Sequence, residues 1–193
     1  MRSRLTLLRR EAHGIFSLRL YNQTGCRSVM AKAQGSGAWL PAEIGADDRG
    51  MVDVSVRAAW CLPRSKAPTI YHEFERKVFR LVAPAVRQIW GSSFDACDGT
   101  QLVRYGTGGH FLPHTDGDEY GYPDRYFTVL CYLNKSFQGG NTSFESLNYR
   151  ARPEPGKALV FPVRFRHCAE PVFSGEKLVF VTWLCAPPPF RWF

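Results

Sequence analysis

The 193-residue sequence lacks a hydrophobic run long enough to cross a membrane or to form the core of a secretion signal. The apolar stretch near its start, Leu5–Leu8, is far too short for either, so we expect a cytoplasmic protein with no membrane partner. Low-complexity tracts and internal repeats are also absent, and 45% hydrophobic residues with 14% aromatic residues are typical of a globular protein. This length favours one domain over residues 1–193.

Cysteines are present but never form a CxxC pair. The six lie at scattered positions, which argues against a zinc knuckle and against a disulfide-stapled secreted domain. Lysine and arginine give a net charge of +8 but are spread along the chain, so the charge does not indicate nucleic-acid binding. The sequence does not determine an oligomeric state.

The first part of the sequence, residues 1–95, has helical and mixed character. Thr24 predicts the cap of a short helix over about residues 25–32, and Pro68 predicts the start of a longer one that ends at Gly91. The apolar residues of this second helix recur at helical spacing and predict one face that packs on a sheet: Ile70, Phe74, Val78, Leu81, Val82, Ala85 and Ile89.

The second part, from Gln101 onward, is rich in strand-like runs separated by Gly and Pro. The runs are QLVRY, YFTVLCYL, NTSFESL, KALVF, EPVF and KLVFVTWLC. Many short strands with such turns favour a sandwich or jelly roll, and thus a mainly β fold with supporting N-terminal helices. In the last run, a period of two predicts two apolar faces: Lys177, Val179, Val181 and Trp183 on one, and Leu178, Phe180, Thr182 and Leu184 on the other.

Three metal-binding side chains stand out in the β-rich part. His114 and Asp116 lie two residues apart and project to the same side of an extended backbone, and His167 follows later in the chain. Two imidazoles and one carboxylate are the facial triad of non-haem Fe(II) oxygenases, which leaves open positions for a 2-oxo acid and O2. Each histidine alone is as well explained by a structural role, so the interpretation depends on the surrounding residues.

Three further side chains could bind the 2-oxo acid. Lys177, ten residues after His167, could pair with its far carboxylate, because a lysine on a buried strand needs an anion or access to water. Tyr105, nine residues before His114, and Thr142 could add hydrogen bonds from their hydroxyl groups.

Together these residues resemble the prolyl 4-hydroxylase branch of the 2-oxoglutarate oxygenases, over roughly residues 100–186. The resemblance implies a double-stranded β-helix (a cupin-like jelly roll) as the catalytic core, with the site in its open mouth. It implies Fe(II), 2-oxoglutarate and O2 as cofactors, with ascorbate as a stimulant. It assigns the metal to His114, Asp116 and His167, and 2-oxoglutarate to Lys177, Tyr105 and Thr142. Since halogenating relatives lack the carboxylate, Asp116 favours hydroxylation of an unactivated C–H bond, with release of succinate and CO2.

The substrate side is less defined by sequence. Arg125 and Arg57 are candidates for substrate contacts, with a solvated surface charge and a structural salt bridge as their respective alternatives. Trp183 is a candidate pocket wall or core residue. Tyr120 and Tyr122, with Asp118, lie on a loop that could cover the substrate or be an ordinary surface connection. A free amino acid, a small metabolite and a peptidyl residue all remain candidate substrates.

Two other classes of protein remain open. A non-catalytic jelly-roll binding protein would be expected to have lost a ligand or an anchor, and all of them are present here. A zinc or manganese cupin-type enzyme could use the same two histidines and carboxylate, but it would have no evident use for Lys177, Tyr105 and Thr142.

Overall fold

The structure is a computed structural model that describes residues 8–45, 50–91, 93–117 and 124–186. The α-helices of the described residues belong to the first half of the chain: α1 (Gln23–Gln34), α2 (Pro68–Lys77) and α3 (Ala83–Trp90). Short 3-10 helices lie at Arg64–Lys66 and Glu145–Leu147. Within the described ranges, no helix has the length and apolar character needed to span a membrane.

Strands make up most of the remaining structure. In chain order, they are β1 (Arg9–Ala12), β2 (Ile15–Arg19), β3 (Leu40–Pro41), β4 (Arg57–Ala58), β5 (Trp60–Leu62), β6 (Ala96–Tyr105), β7 (His110–His114), β8 (Arg125–Tyr132), β9 (Phe137–Gly139), β10 (Thr142–Phe144), β11 (Tyr149–Ala151), β12 (Lys157–Pro162), β13 (His167–Ala169), β14 (Val172–Gly175) and β15 (Lys177–Cys185).

The strands form two main antiparallel sheets. The major sheet has the order β1-β2-β12-β8-β15-β6-β5-β3, and the minor sheet has the order β11-β10-β13-β7-β4. A two-stranded sheet of β14 and β9 completes the arrangement. The two main sheets face each other across an apolar core, in which Phe144 of the minor sheet meets Phe161 of the major sheet at a centroid distance of 4.8 Å. This is the mainly β, jelly-roll architecture that the sequence predicted.

The first half of the chain contributes strands as well as helices. β1 and β2 extend one edge of the major sheet, β3 and β5 extend the other, and β4 forms an edge of the minor sheet. The described part of residues 1–95 therefore contributes strands to both sheets. The single-domain interpretation and its internal boundaries stay a prediction.

The helices cover the outer face of the major sheet. Phe74 of α2 stacks on Phe180 of β15 with ring centroids 4.4 Å apart, and Tyr71 meets the same ring edge-on at 5.7 Å. Ile70 and Phe74 are fully buried, as the helical spacing predicted. In β15, Leu178, Phe180 and Leu184 join this outer core, which confirms the predicted period of two.

Both predicted helices differ in detail from the structure. The short helix begins earlier than predicted, because the Asn22 side chain, rather than that of Thr24, caps it by accepting a hydrogen bond from the Gly25 N–H at 2.8 Å. It also ends later, at Gln34.

The long helix contains a π-helical turn, Val78–Val82, between α2 and α3. The Ala83 N–H donates to the Val78 carbonyl, because Pro84 has no N–H to give to the carbonyl one turn earlier. The extra residue rotates the following turn, so Ile89, expected on the apolar face, is 37% exposed, whereas Val86 is buried.

Candidate metal and ligand site

The three predicted metal ligands meet inside the jelly roll. His114 at the end of β7 pairs directly with His167 at the start of β13, and Asp116 lies just beyond β7. The His114 Nε2 atom lies 3.4 Å from Asp116 Oδ1, and the His167 Nε2 atom lies 3.5 Å from Asp116 Oδ2. All three side chains are buried, and their ligand atoms lie within 4.8 Å of one another.

Backbone carbonyls orient both imidazole rings. The Nδ1 atom of His114 lies 2.7 Å from the Leu112 carbonyl oxygen, and that of His167 lies 2.9 Å from the Phe165 carbonyl oxygen. A carbonyl oxygen only accepts, so Nδ1 of each ring donates to it and Nε2 is the ring nitrogen that faces Asp116. Burial lowers the pKa of His167 to about 4, which keeps this ring neutral near pH 7. A neutral imidazole is the form that binds a metal ion.

Asp116 is held as a carboxylate. Burial opposes its ionisation, but the two imidazoles and the Thr128 hydroxyl outweigh this effect and hold the pKa of Asp116 below its usual range. Thr128 is fully buried in β8 and donates to Asp116 Oδ2 at 2.7 Å. In the sequence, the signal for this residue is a threonine within the apolar run YFTVLCYL.

The donor set fits a divalent ion of the Fe(II) type. It offers two imidazole nitrogens and one carboxylate in a buried, converging arrangement, which is the facial triad of non-haem iron sites. Phe111 supports one side, because its ring stacks on the His114 ring at a centroid distance of 3.6 Å. Phe144 and Phe161 pack against the His167 ring.

A cavity of about 460 Å³ adjoins the three ligands. Tyr105 and Thr142 line it, together with the apolar side chains Val103, Val179 and Val181. Thr142 Oγ1 accepts a hydrogen bond from the fully buried Tyr132 hydroxyl at 2.7 Å. The Thr142 hydroxyl therefore keeps its own proton available for another acceptor.

Lys177 is buried beside this cavity and is 1% exposed. Its ammonium donates to the Gly140 carbonyl at 2.7 Å and lies 5.1 Å from the ring centroid of Tyr105 and 5.7 Å from that of Tyr132. Among the described residues it forms no ion pair, and burial lowers its pKa to about 7. Lys177 is not one of the side chains that line the cavity, because its hydrogen bond holds it against the turn at Gly140.

Gly140 makes this arrangement possible. Its φ of +63° favours glycine, and a Cβ atom built there would lie 3.2 Å from the Lys177 Cδ atom.

The cavity opens past two buried arginines. Arg125 is 8% exposed and donates to Asp98 at 2.6 Å, with its guanidinium 3.8 Å from the ring centroid of Trp183. Arg57 is 6% exposed and donates to the Glu43 carbonyl rather than to a carboxylate. Arg57, Arg125 and Trp183 all line an outer cavity of about 450 Å³ that also reaches His114 and Asp116.

Three predicted residues could not be located, and one residue at the site was not predicted. Tyr120, Tyr122 and Asp118 lie outside the described residues. Gln101, which accepts from Arg57 at 2.8 Å and lines both cavities, was not identified from the sequence. Its strand run, QLVRY, marks it as a polar residue two positions before Val103, but only the fold shows that it faces inward.

The fold and the site together define the class, a jelly roll with a buried two-histidine, one-carboxylate centre. Residues 100–185 match the family model of the 2OG-Fe(II) oxygenase superfamily. The match covers less than half of the chain, and over these residues the chain is similar to that superfamily and prolyl 4-hydroxylase-like. The cofactors of the family are Fe(II), 2-oxoglutarate and O2, and the His-Asp-His centre fits the iron.

Two curated relatives illustrate the similarity. A putative prolyl 4-hydroxylase of Acanthamoeba polyphaga mimivirus is 34% identical over 111 residues, which cover 47% of this chain and 46% of the relative. Prolyl 4-hydroxylase subunit alpha-1 of Gallus gallus is 28% identical over 129 residues, which cover 58% of this chain and 25% of the relative. The chain thus spans less than half the length of these relatives.

Solved structures share the fold over most of the chain. A prolyl hydroxylase from Trichoplax adhaerens, in complex with a hypoxia inducible factor peptide fragment, has a TM-score of 0.72 at 16% identity and covers 89% of this chain and 83% of its own. A viral collagen prolyl hydroxylase from Paramecium Bursaria Chlorella virus-1, in its 2OG complex, has a TM-score of 0.66 at 19% identity and covers 90% and 96%. At these identities the likeness shows the fold alone.

Proposed function

We propose that the chain is an Fe(II)- and 2-oxoglutarate-dependent dioxygenase that hydroxylates an unactivated C–H bond, with release of succinate and CO2. The observation that carries the proposal is the combination of a buried facial triad with a buried lysine that has no carboxylate partner among the described residues. A structural histidine cluster would not account for the lysine, because a buried ammonium is costly unless an anion joins it.

His114, Asp116 and His167 hold the iron in this proposal. When bound, Fe(II) supplies the redox chemistry that couples O2 and 2-oxoglutarate to oxidation of a C–H bond. The residues themselves fix geometry: the Leu112 and Phe165 carbonyls orient the imidazoles, and Thr128 orients the Asp116 carboxylate.

Lys177, Tyr105 and Thr142 bind 2-oxoglutarate in this proposal. Lys177 pairs with the far carboxylate by turning its ammonium from the Gly140 carbonyl toward the cavity. Thr142 donates the proton that its hydrogen bond from Tyr132 leaves available, and Tyr105 lines the same wall. Val103, Val179 and Val181 restrict water in the cavity, which strengthens these polar contacts.

Substrate enters past Arg125, Arg57 and Trp183, which we assign to substrate binding, and we assign the same role to Tyr120 and Tyr122. A free amino acid, a small metabolite or a peptidyl residue fits the proposal. The peptide bound in the Trichoplax adhaerens structure supports a peptidyl residue. We further propose a cytoplasmic location, which cell fractionation would test, and stimulation by ascorbate.

The first test is turnover without added substrate. Protein prepared without oxygen is given Fe(II), ascorbate and 2-oxoglutarate, then exposed to O2 and assayed for succinate. We expect succinate from the wild type and none from Asp116→Ala, which removes the carboxylate ligand.

The second test is binding of 2-oxoglutarate to the Fe(II) protein without oxygen, followed by its metal-to-ligand absorption band. Absence of the band in the wild type would overturn the cofactor assignment. Activity restored by Zn(II) alone would favour a cupin-type enzyme instead.

A further inference from the structure

Arg57 is a buried cation in the wall of the proposed active site. It lies on β4, at the edge of the minor sheet, and is 6% exposed. It lines both the cavity beside the metal ligands and the outer cavity. Its guanidinium lies 4.9 Å from the ring centroid of Phe111, the ring that stacks on His114. The charge is therefore close to the reacting centre and largely shielded from bulk water.

Every hydrogen-bond partner of Arg57 within the described ranges is neutral. Nη1 donates to the Glu43 backbone carbonyl at 2.7 Å, and Nη2 donates to Gln101 Oε1 at 2.8 Å and approaches the Cys61 sulfur at 3.9 Å. The guanidinium also interacts with the Tyr105 hydroxyl. The Nε–H group is buried and has no acceptor. A buried guanidinium is normally paired with an anion. In the described ranges, no carboxylate forms a hydrogen bond with Arg57.

Arg125 provides an internal comparison in the same outer cavity. It is buried to a similar extent, 8% exposed, but its Nε donates to the Asp98 carboxylate at 2.6 Å. Among the described residues, Arg125 has a carboxylate partner and Arg57 has none, although Glu43 and Asp116 line the same cavity. Because the two arginines are buried to a similar extent, burial alone does not explain the difference. Arg57 is the one for which a ligand would supply the anion.

Trp183 supplies a second donor without a partner. Its side chain is 7% exposed, lines both cavities with Arg57, and has a buried Nε1–H group that finds no acceptor in the part of the chain that the structure describes. A buried indole N–H usually finds an acceptor. Two orphan donors in the walls of the same cavities indicate a ligand that carries acceptor oxygens and negative charge.

We infer that Arg57 and Trp183 form a subsite for a carboxylate group of the substrate, separate from the position of 2-oxoglutarate. The inference rests on the proposed function, in which Lys177 pairs with the far carboxylate of 2-oxoglutarate and the iron, when bound, would take the other. Arg57 is then left for a third carboxylate, and the substrate class is a compound or peptidyl residue that bears one within reach of the metal centre.

The test compares acids with their neutral isosteres. The probes are the L-amino acids against their carboxamides, for an α-carboxylate, and N-acetyl-aspartate amide against N-acetyl-asparagine amide, for a side-chain carboxylate. Dissociation constants are measured by calorimetry without oxygen, on Fe(II) protein with and without 2-oxoglutarate. The proteins are the wild type, Arg57→Gln, Arg57→Lys, Trp183→Phe and Arg104→Gln as the matched control. Arg104 pairs with Glu176 and lines neither cavity.

We expect at least one acid to bind the wild type about tenfold or more tightly than its amide, the size of one charged hydrogen bond. Arg57→Gln should bring this ratio to about one and leave the amide affinity unchanged, while Arg57→Lys should keep part of the preference. Trp183→Phe should weaken the acid by about threefold to tenfold. Arg104→Gln should bind like the wild type. The probe pair that shows the preference identifies the source of the carboxylate.

Three results would overturn the inference. They are equal affinity for acids and amides in the wild type, equal loss of both in Arg57→Gln, and a loss of 2-oxoglutarate binding in Arg57→Gln with an unchanged acid-to-amide ratio. If Arg57→Gln does not fold, Arg57→Lys and Trp183→Phe decide the question. Absence of the 2-oxoglutarate absorption band in the wild type would instead contradict the proposed function. The acid–amide comparison made without 2-oxoglutarate does not depend on that band, so the two failures can be distinguished.

Discussion

The outer face of the major sheet packs against the helices with apolar side chains, whereas its inner face places ionisable groups around a cavity. On the outer face of β15, Leu178, Phe180 and Leu184 belong to the core under α2 and α3. On the inner face of the same strand, Lys177 has no ion-pair partner and the Trp183 indole N–H has no acceptor among the described residues. Alternation along a strand thus separates the residues that stabilise the fold from the residues that await a ligand.

Burial has different energetic consequences on the two faces of the major sheet. A buried apolar side chain stabilises the folded state whether or not a ligand is present. A buried cation without a counter-charge reduces stability until an anion binds. Substitutions on the two faces should therefore change different quantities: the free energy of unfolding on the outer face, and ligand affinity on the inner face.

The largest effect is expected from His167→Ala on the inside of the minor sheet. Removing an imidazole ligand should weaken Fe(II) binding by more than about 100-fold, beyond the range for residues that only support a ligand. Iron content after gel filtration and succinate production measure the change. His72→Ala, at an exposed position on α2, is the control. Iron retention and turnover equal to those of the control would contradict the assignment.

Phe180→Ala tests the outer face. Phe180 is fully buried and stacks on Phe74, so its truncation should lower the free energy of unfolding by roughly 3–5 kcal/mol. Urea denaturation gives this value. The affinity of the folded protein for 2-oxoglutarate, measured well below its melting temperature, should stay within about twofold of the wild type, a difference of about 0.4 kcal/mol. A large loss of affinity would show that the two faces are not independent.

Lys177→Met should instead reduce ligand affinity without reducing the stability of the fold. It should weaken 2-oxoglutarate binding by roughly 2–5 kcal/mol, because a buried carboxylate loses its partner. The free energy of unfolding of the ligand-free protein should stay equal or rise, because an unpaired buried ammonium is removed. Calorimetry and urea denaturation measure the two quantities, with exposed Lys66→Met as the control. Unchanged 2-oxoglutarate affinity would remove Lys177 from the site.

The last prediction is a pH dependence that also comes from Lys177. Burial lowers its pKa from 10.5 to about 7 in the folded protein, so between these values the unfolded chain binds more protons. The free energy of unfolding of the wild type should therefore rise between pH 7 and 10.5 relative to Lys177→Met. Below pH 7 the destabilisation by the charged lysine should be fully present.

The affinity for 2-oxoglutarate should change in the opposite direction, because binding requires the charged lysine and becomes weaker as the pH rises above 7. Denaturation and calorimetry at pH 7 and 9 check both signs. Parallel pH dependence of the wild type and Lys177→Met would show that Lys177 does not titrate in this range.

Much of the fold was predictable because it depends on local pattern. The apolar spacing from Ile70 to Val82 predicted the packed helix face, and the alternation in KLVFVTWLC predicted which residues of β15 share a side. The errors were local as well. Asn22 competes with Thr24 as the helix cap, and Pro84 forces the π turn that exposes Ile89.

The candidate site was predictable only in part. Residue type and order pointed to His114, Asp116, His167 and Lys177, since few chemistries use this combination. The roles of Thr128 and Gln101 could not be predicted from the sequence, because a threonine or glutamine within a strand can face solvent, the core or a site. Their partners, Asp116 and Arg57, are reached only across strands.

The sequence by itself determined the mainly β jelly roll with its helices and the ligand set for a 2-oxoglutarate oxygenase centre, because hydrophobic period and ligand chemistry are local properties of the chain. Only the tertiary structure decided that His167 lies opposite His114 and that Lys177 is buried without an ion pair among the described residues. It also decided that Arg125 binds a carboxylate, whereas the hydrogen-bond partners of Arg57 among the described residues are neutral. These features depend on strand register and on contacts between residues far apart in the chain, which side-chain spacing along one strand does not specify.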